Sequence, residues 1–304
     1  MIQRTPSEYI RQKRRLILSV VVLVVCFSKP LWDLARYAAA SELYSHILLV
    51  PFVSVYGIWL CRRQLWPDDH PVRKWALLPW IGGLGLLLGY SIARHSGFKP
   101  AREDYLAVST LAFLLLFCGV CCFWLGGKVL RVIAFPLALL SFMVPFPVVV
   151  RSWIETFLQH ASALAADCLF TVCGTPFLRE GLIFRLPGIN LTVAPECSGI
   201  HSTLVLFITS LVAGQLFLRS SGKRAVLAFA VIPLGILRNA VRIVTIGELC
   251  IHVSPDMINS DLHHRGGPLF FLVSLVPLFL LLYALRRLEV RKQAGAKVIE
   301  KQQT

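Results

Sequence analysis

The stretch AVLAFAVIPLGILRNAVRIVTIGELC, residues 225–250, is apolar for long enough to cross a bilayer, yet it carries Arg238, Asn239 and Arg242. A span needs about 20 mostly apolar residues, because in hydrocarbon every backbone N–H and C=O must be paired within the segment. A charge placed in a span costs about 2.5–3.5 kcal/mol even on the lenient insertion scale. The stretch therefore marks a membrane protein and also flags polar groups that need a reason to be there. The rest of the chain agrees: of 304 residues 56% are hydrophobic and only 15% charged. The mean hydropathy of +0.69 lies well above that of a soluble domain with a solvated surface.

Working outward, eight stretches qualify as spans: 16–33, 43–61, 75–93, 105–125, 129–150, 200–218, 225–246 and 268–285. The predicted fold class is thus an all-α polytopic membrane bundle. Lys29 and Pro30 interrupt the end of the first span, which lacks a small-x-small cleavage site and is followed by further spans, so it reads as a span rather than a signal peptide. The bundle occupies 1–288 as one transmembrane domain. The polar remainder EVRKQAGAKVIEKQQT, 289–304, reads as a frayed or disordered cytoplasmic tail.

The net charge of +15 is explained by topology. With the N-terminus inside, 20 of the 31 Lys and Arg residues fall on the cytoplasmic side, chiefly in 4–15, 62–74, 219–224 and from Arg286 onward. This asymmetry predicts a multi-pass protein of the cytoplasmic (inner) membrane with both termini inside. It gives no reason to invoke nucleic acid.

In that orientation 151–199 and 247–267 face outward. Residues 151–175, RSWIETFLQHASALAADCLFTVCGT, are too polar for a ninth span and predict an amphipathic helix lying in the interface or packed on the bundle. The following REGLIFRLPGINLTVAPE alternates apolar and polar residues around Pro187 and Gly188, which predicts a short extracytoplasmic hairpin leading into Cys197.

Three polar clusters then fall at one membrane face. Cys197 starts the sixth span. On the seventh, Arg238 and Arg242 are four apart on one helix face, with Asn239 three before Arg242. Arg238 can snorkel to the headgroups or be buried; Arg242 reads as buried and functional. At the mouth of the eighth span DLHHRGGPLFF, 261–271, offers His263 and His264. A cysteine nucleophile needs a base, since a free thiol with a pKa of about 8.5 is mostly protonated at neutral pH. Histidine can serve as that base and later as the acid for the leaving group. A guanidinium can hold the oxyanion of a tetrahedral intermediate. The set reads as acyl transfer through a thioester and calls for no cofactor and no metal.

These residues resemble the exosortase and archaeosortase family of integral membrane proteins, along nearly the whole chain. YSHILLVP (44–51) is similar to the family's early Tyr-Ser-His segment, and FPLALLSFMVPFP (135–147) to its proline-rich fifth span. LREGLIFRLPGINLTVAPECSGIHS (178–202) resembles the stretch ending in Cys-Ser-Gly, RNAVRI (238–243) the Asn-x-x-Arg motif, and HHRGGPLFF (263–271) the histidine motif. The resemblance implies a membrane cysteine peptidase or transpeptidase. It would cleave C-terminal sorting tails, made of a Pro-Glu-Pro-like motif, a transmembrane helix and a basic end, from exported proteins at the outer face. An acceptor in the envelope, such as polysaccharide, could then receive the acyl end. It implies Cys197 as nucleophile, Arg242 as its partner and His263 as the histidine, with His264 as the alternative. The doubled histidine and Pro268 depart from the commoner pattern. Asn239, Glu196 and His46 are candidate substrate-contacting residues; Glu196 can also orient the histidine or be a surface acid, and His46 can also be a polar interface residue.

The other eight cysteines sit mostly in or beside spans, where cysteine acts as a small hydrophobe. CGVCC, 118–122, has a Cys-x-x-Cys spacing but sits mid-span without further ligands, and Cys197 with His201 would supply only two zinc ligands. No Gly-x-Ser-x-Gly or His-Glu-x-x-His occurs. Two rival readings stand beside the peptidase. A polysaccharide transport or export component would survive loss of Cys197 but not of Arg242, whereas a noncatalytic assembly partner would need none of the three.

Overall fold

In the computed structural model the described backbone covers residues 6–64, 73–97, 99–259 and 266–303, with side chains described outside 6–9, 64, 196–197, 258–259 and 292–303. The chain forms two compact units, Met1–Arg151 and Ser152–Thr304.

The first unit begins with α1 (Pro6–Cys26) and α2 (Ser28–Ala40), which meet at a 68° bend where the sequence places Lys29 and Pro30 just beyond the break. It continues with α3 (His46–Leu60), α4 (Arg73–His95), α5 (Arg102–Trp124) and α6 (Gly127–Leu139). Helices α4 and α5 pack closely because small residues face large ones. Leu116 lies against Gly83, and Trp80 covers Gly119 so tightly that a Cβ there would run into the indole. Glu103 and Asp104 favour the first turn of α5 by opposing the helix dipole. They also tie neighbouring elements together. Glu103 Oε1 accepts from Tyr37 Oη at 2.7 Å and from Arg151 Nη1 at 2.6 Å, and Asp104 Oδ1 accepts from the amide of Val148 at 3.0 Å.

That last contact caps α7 (Val148–Cys173). The expected fifth span, 129–150, is broken: α6 passes through a 3-10 turn, Leu140–Met143, and α7 leaves at 92°. Pro145 and Pro147 explain the break, since neither can donate to a continuing helix. The expected amphipathic helix therefore starts before residue 151 and runs for 26 residues.

In the second unit the expected hairpin is one strand larger. Strands β1 (Leu178–Glu180), β2 (Ile183–Leu186) and β3 (Ile189–Thr192) form an antiparallel meander in the order β1-β2-β3. The two connections carry Gly181 and Gly188 at φ +63° and +81°, the positive-φ residues that tight hairpin turns demand. Phe184, Leu186 and Leu191 from the sheet pack with Phe170 of α7 and with Ala240, Ile243 and Val244 of α10 (Val231–His252). Gly247 of α10 lets Phe170 and Leu186 approach; a Cβ there would lie 2.8 and 3.0 Å from them. A second core joins α8 (Ile200–Phe217), α9 (Ser221–Phe229), α10 and α11 (Gly267–Gln303) through Leu206, Leu227, Val231, Leu278 and Leu282. The α9–α10 junction at Ala230 precedes Pro233, whose ring clashes with the carbonyl four residues back.

The tail expected to be frayed is instead helical, since α11 runs to Gln303. Its Glu, Lys, Gln and Ala residues are good helix formers, and α11 supplies a nucleus already formed. Among the described residues five helices are long and apolar enough to cross a membrane, or seven if each bent pair is one span. The apolar α3, with 15 residues, is shorter: at 1.5 Å per residue it reaches about 22 Å of a core roughly 30 Å thick.

Candidate active site

The chain reaches Cys197 along a pinned path. After β3, the amide of Val193 donates to Leu182 O at 2.9 Å, and its carbonyl accepts from the buried Gln159 Nε2 at 3.0 Å. A 3-10 turn, Pro195–Ser198, holds the backbone of Glu196 and Cys197, and Gly199 joins it to α8. Gly199 is left-handed, at φ +71° and ψ 16°, which costs an L-residue about 1–2 kcal/mol. Glycine is needed there for a second reason. A Cβ would sit 2.6 Å from Arg238 Nη2 and 3.3 Å from Asn239 Oδ1.

The same contact explains Arg238. Its Nη2 donates to Gly199 O at 3.1 Å, and the residue is only 9% exposed, so of the two sequence readings it is the buried one that holds. Gly199 O also accepts from the Thr203 amide at 3.0 Å and from Thr203 Oγ1 at 2.9 Å. Arg238 Nη1 and Ser198 Oγ are buried with no hydrogen-bond partner among the described residues. Buried donors of that kind are rare and call for an explanation.

Asn239, 1% exposed, lies next to Gly199. With Arg242, Ile243 and Ile246 it faces Leu191, Thr192 and Val193 across a small crevice between α10 and the end of β3. The structure thus brings Asn239, Arg242 and the turn bearing Cys197 into one region of the second unit. The side chains of Glu196 and Cys197, and the whole of His263 and His264, lie outside the described residues. His46 belongs to the first unit. It is the first residue of α3, buried, with Nδ1 3.1 Å from Leu43 O.

Sequence reasoning missed Gln159 and Thr203. Gln159 carried a faint signal, as one of the polar residues on an otherwise apolar helix.

A membrane helix bundle whose Cys-Ser-Gly turn is clasped by an arginine-bearing helix is the class that this fold and site define. The chain matches the family described as transmembrane exosortase (Exosortase_EpsH) over residues 32–280, and it belongs to that family. No curated protein matches the chain, and no solved structure does.

Proposed function

We propose that this exosortase-family protein is a membrane-embedded cysteine peptidase or transpeptidase acting on the C-terminal sorting tails of exported proteins. Cys197 attacks the carbonyl carbon of the scissile peptide bond, a C–S bond forms, and the oxygen takes the negative charge. Arg242 stabilises that oxyanion, with the unfilled N–H groups of Arg238 close to the same turn. His263, or His264, takes the thiol proton and returns it to the leaving amine as the C–N bond breaks. The resulting thioester is then opened by water or by an amine of an envelope acceptor, which restores the thiol. Asn239 supports the backbone of the cysteine turn. Glu196 and His46 are assigned to substrate contact.

The protein is placed in the cytoplasmic membrane with both termini inside, so the substrate's own helix lies against the bundle and its outer-face peptide meets Cys197. The observation that carries the reading is the bond from Arg238 to Gly199 O. It anchors the cysteine turn to the helix that bears Asn239 and Arg242. The test is co-expression with a tailed substrate and blotting for its shortened form. Arg242→Gln is expected to lower processing by about 10²–10³-fold, the usual cost of losing an oxyanion donor. Processing that is unchanged in that variant would rule out the role given to Arg242.

A further inference from the structure

A wide cavity of about 640 Å³ lies in the first unit, lined by Lys29, Asp33, Tyr90, Arg94, Lys99 and Tyr105 among others, none of them a residue of the candidate active site. That volume falls in the range of sites for small ligands or headgroups. Three of the six are cations and one is an acid. Among the described residues none of Lys29, Asp33, Arg94 and Lys99 makes an ion pair or a side-chain hydrogen bond, although all four border one cavity. Tyr90 and Tyr105, half-buried, complete the lining, with ring centroids 5.8 Å apart.

The basic cluster at the α8–α9 turn behaves differently, because its charges are used internally. Arg224 donates to Leu218 O and Gln215 Oε1, Lys223 to Leu285 O, and Glu289 accepts the amides of Arg219 and Ser220. The cations of the first cavity have no such internal work.

Position narrows the ligand. Arg94 sits in the last turn of α4, a helix apolar enough to span a membrane and only 11% buried over its most apolar window, and Lys99 follows in the loop beyond it. The cavity therefore sits at the end of a mostly exposed helix long enough to span a membrane, and in the orientation expected from the Lys and Arg distribution that end falls at headgroup depth. An ammonium or guanidinium there can form charge-assisted bonds to phosphate oxygens, and a guanidinium can do so with two parallel bonds. Tyrosine hydroxyls at the membrane interface suit the remaining oxygens.

We infer that this cavity is a binding site for a phosphate ester, held by Lys29, Arg94 and Lys99 with Tyr90 and Tyr105 beside them, and that the ester is the headgroup of a membrane lipid. The site is independent of the peptidase reading, since none of its residues belongs to that machinery. Asp33 sets a limit on the ligand's charge.

The full chain, stripped of lipid in detergent, is offered phosphatidylglycerol or the phosphate-free diacylglycerol, and retained lipid is counted by native mass spectrometry. One phosphatidylglycerol is expected to stay per chain while diacylglycerol does not. In Lys29→Gln/Arg94→Gln/Lys99→Gln its retention is expected to fall about a hundredfold, and Arg94→Gln alone to show an intermediate loss. Asp33→Asn is expected to strengthen retention, a gain that a misfolded variant could not give. Competition with soluble glycerol phosphate separates the sources: no displacement assigns the site to lipid, and full displacement at equal concentration assigns a soluble phosphate ester to the same residues. Equal retention of both lipids, or retention unchanged in the triple variant, overturns the inference.

Discussion

Gly199 and Arg238 make one device. The left-handed glycine turns the chain from the 3-10 turn into α8, and the absence of a side chain lets the guanidinium reach its carbonyl. Gly199→Ala is expected to cost about 1–2 kcal/mol in backbone strain, plus the displacement of Arg238. Tail removal should then fall at least tenfold in a time course. Arg238→Gln should lose the anchor. Arg238→Lys should recover only part of the rate, because an ammonium keeps the charge but lacks the planar fork. If all three process at the wild-type rate, the anchor has no part in the reaction. The sequence placed Arg238 on the same face as Arg242 but could not tell burial from snorkelling. Its partner is 39 residues away, and only the packing of α8 on α10 decides the matter. Gln159 was obscure for the same reason: its amide serves a carbonyl 34 residues later. Gln159→Ala leaves that buried carbonyl unpaired, at about 1–3 kcal/mol, and should lower the melting temperature of the purified protein.

At the scale of elements, the tightest joint in the first unit is Trp80 over Gly119. A methyl group at 119 has no room, so Gly119→Ala is expected to destabilise the unit by about 1–3 kcal/mol through overpacking. Trp80→Leu in the same chain should recover part of that loss. A double-mutant cycle by thermal unfolding in detergent checks it, and simple additivity would show that the two residues do not meet. Most helices were legible because a long apolar run leaves the backbone little choice in a membrane. Their ends were less so. The break at Pro145 and Pro147 could be read as a proline-rich span, yet the 92° departure of α7 and the capping of its Val148 by Asp104 of another helix could not. The third strand was hidden because β1 is three residues long, too short to show an alternating pattern. In the polar tail composition suggested fraying, whereas continuity with α11 carries the helix on.

For the whole molecule, the uneven distribution of Lys and Arg sets an expected orientation. In a background with its native cysteines changed to serine, a membrane-impermeant maleimide added outside should label Ser96→Cys and leave Ser220→Cys untouched, both positions being exposed. The reverse pattern would place the cysteine turn on the inner face and end the sorting-tail reading. The motifs in the sequence name candidate residue types and no more. The meeting of α10 with the turn before α8 was visible only in the fold. Cys197 is proposed to form the acyl-enzyme, and processing of a tailed substrate by Cys197→Ala, with membrane insertion checked in the same cells, tests that step directly. Full insertion with no shortened product is expected; normal shortening by that variant would rule out an acyl-enzyme at Cys197.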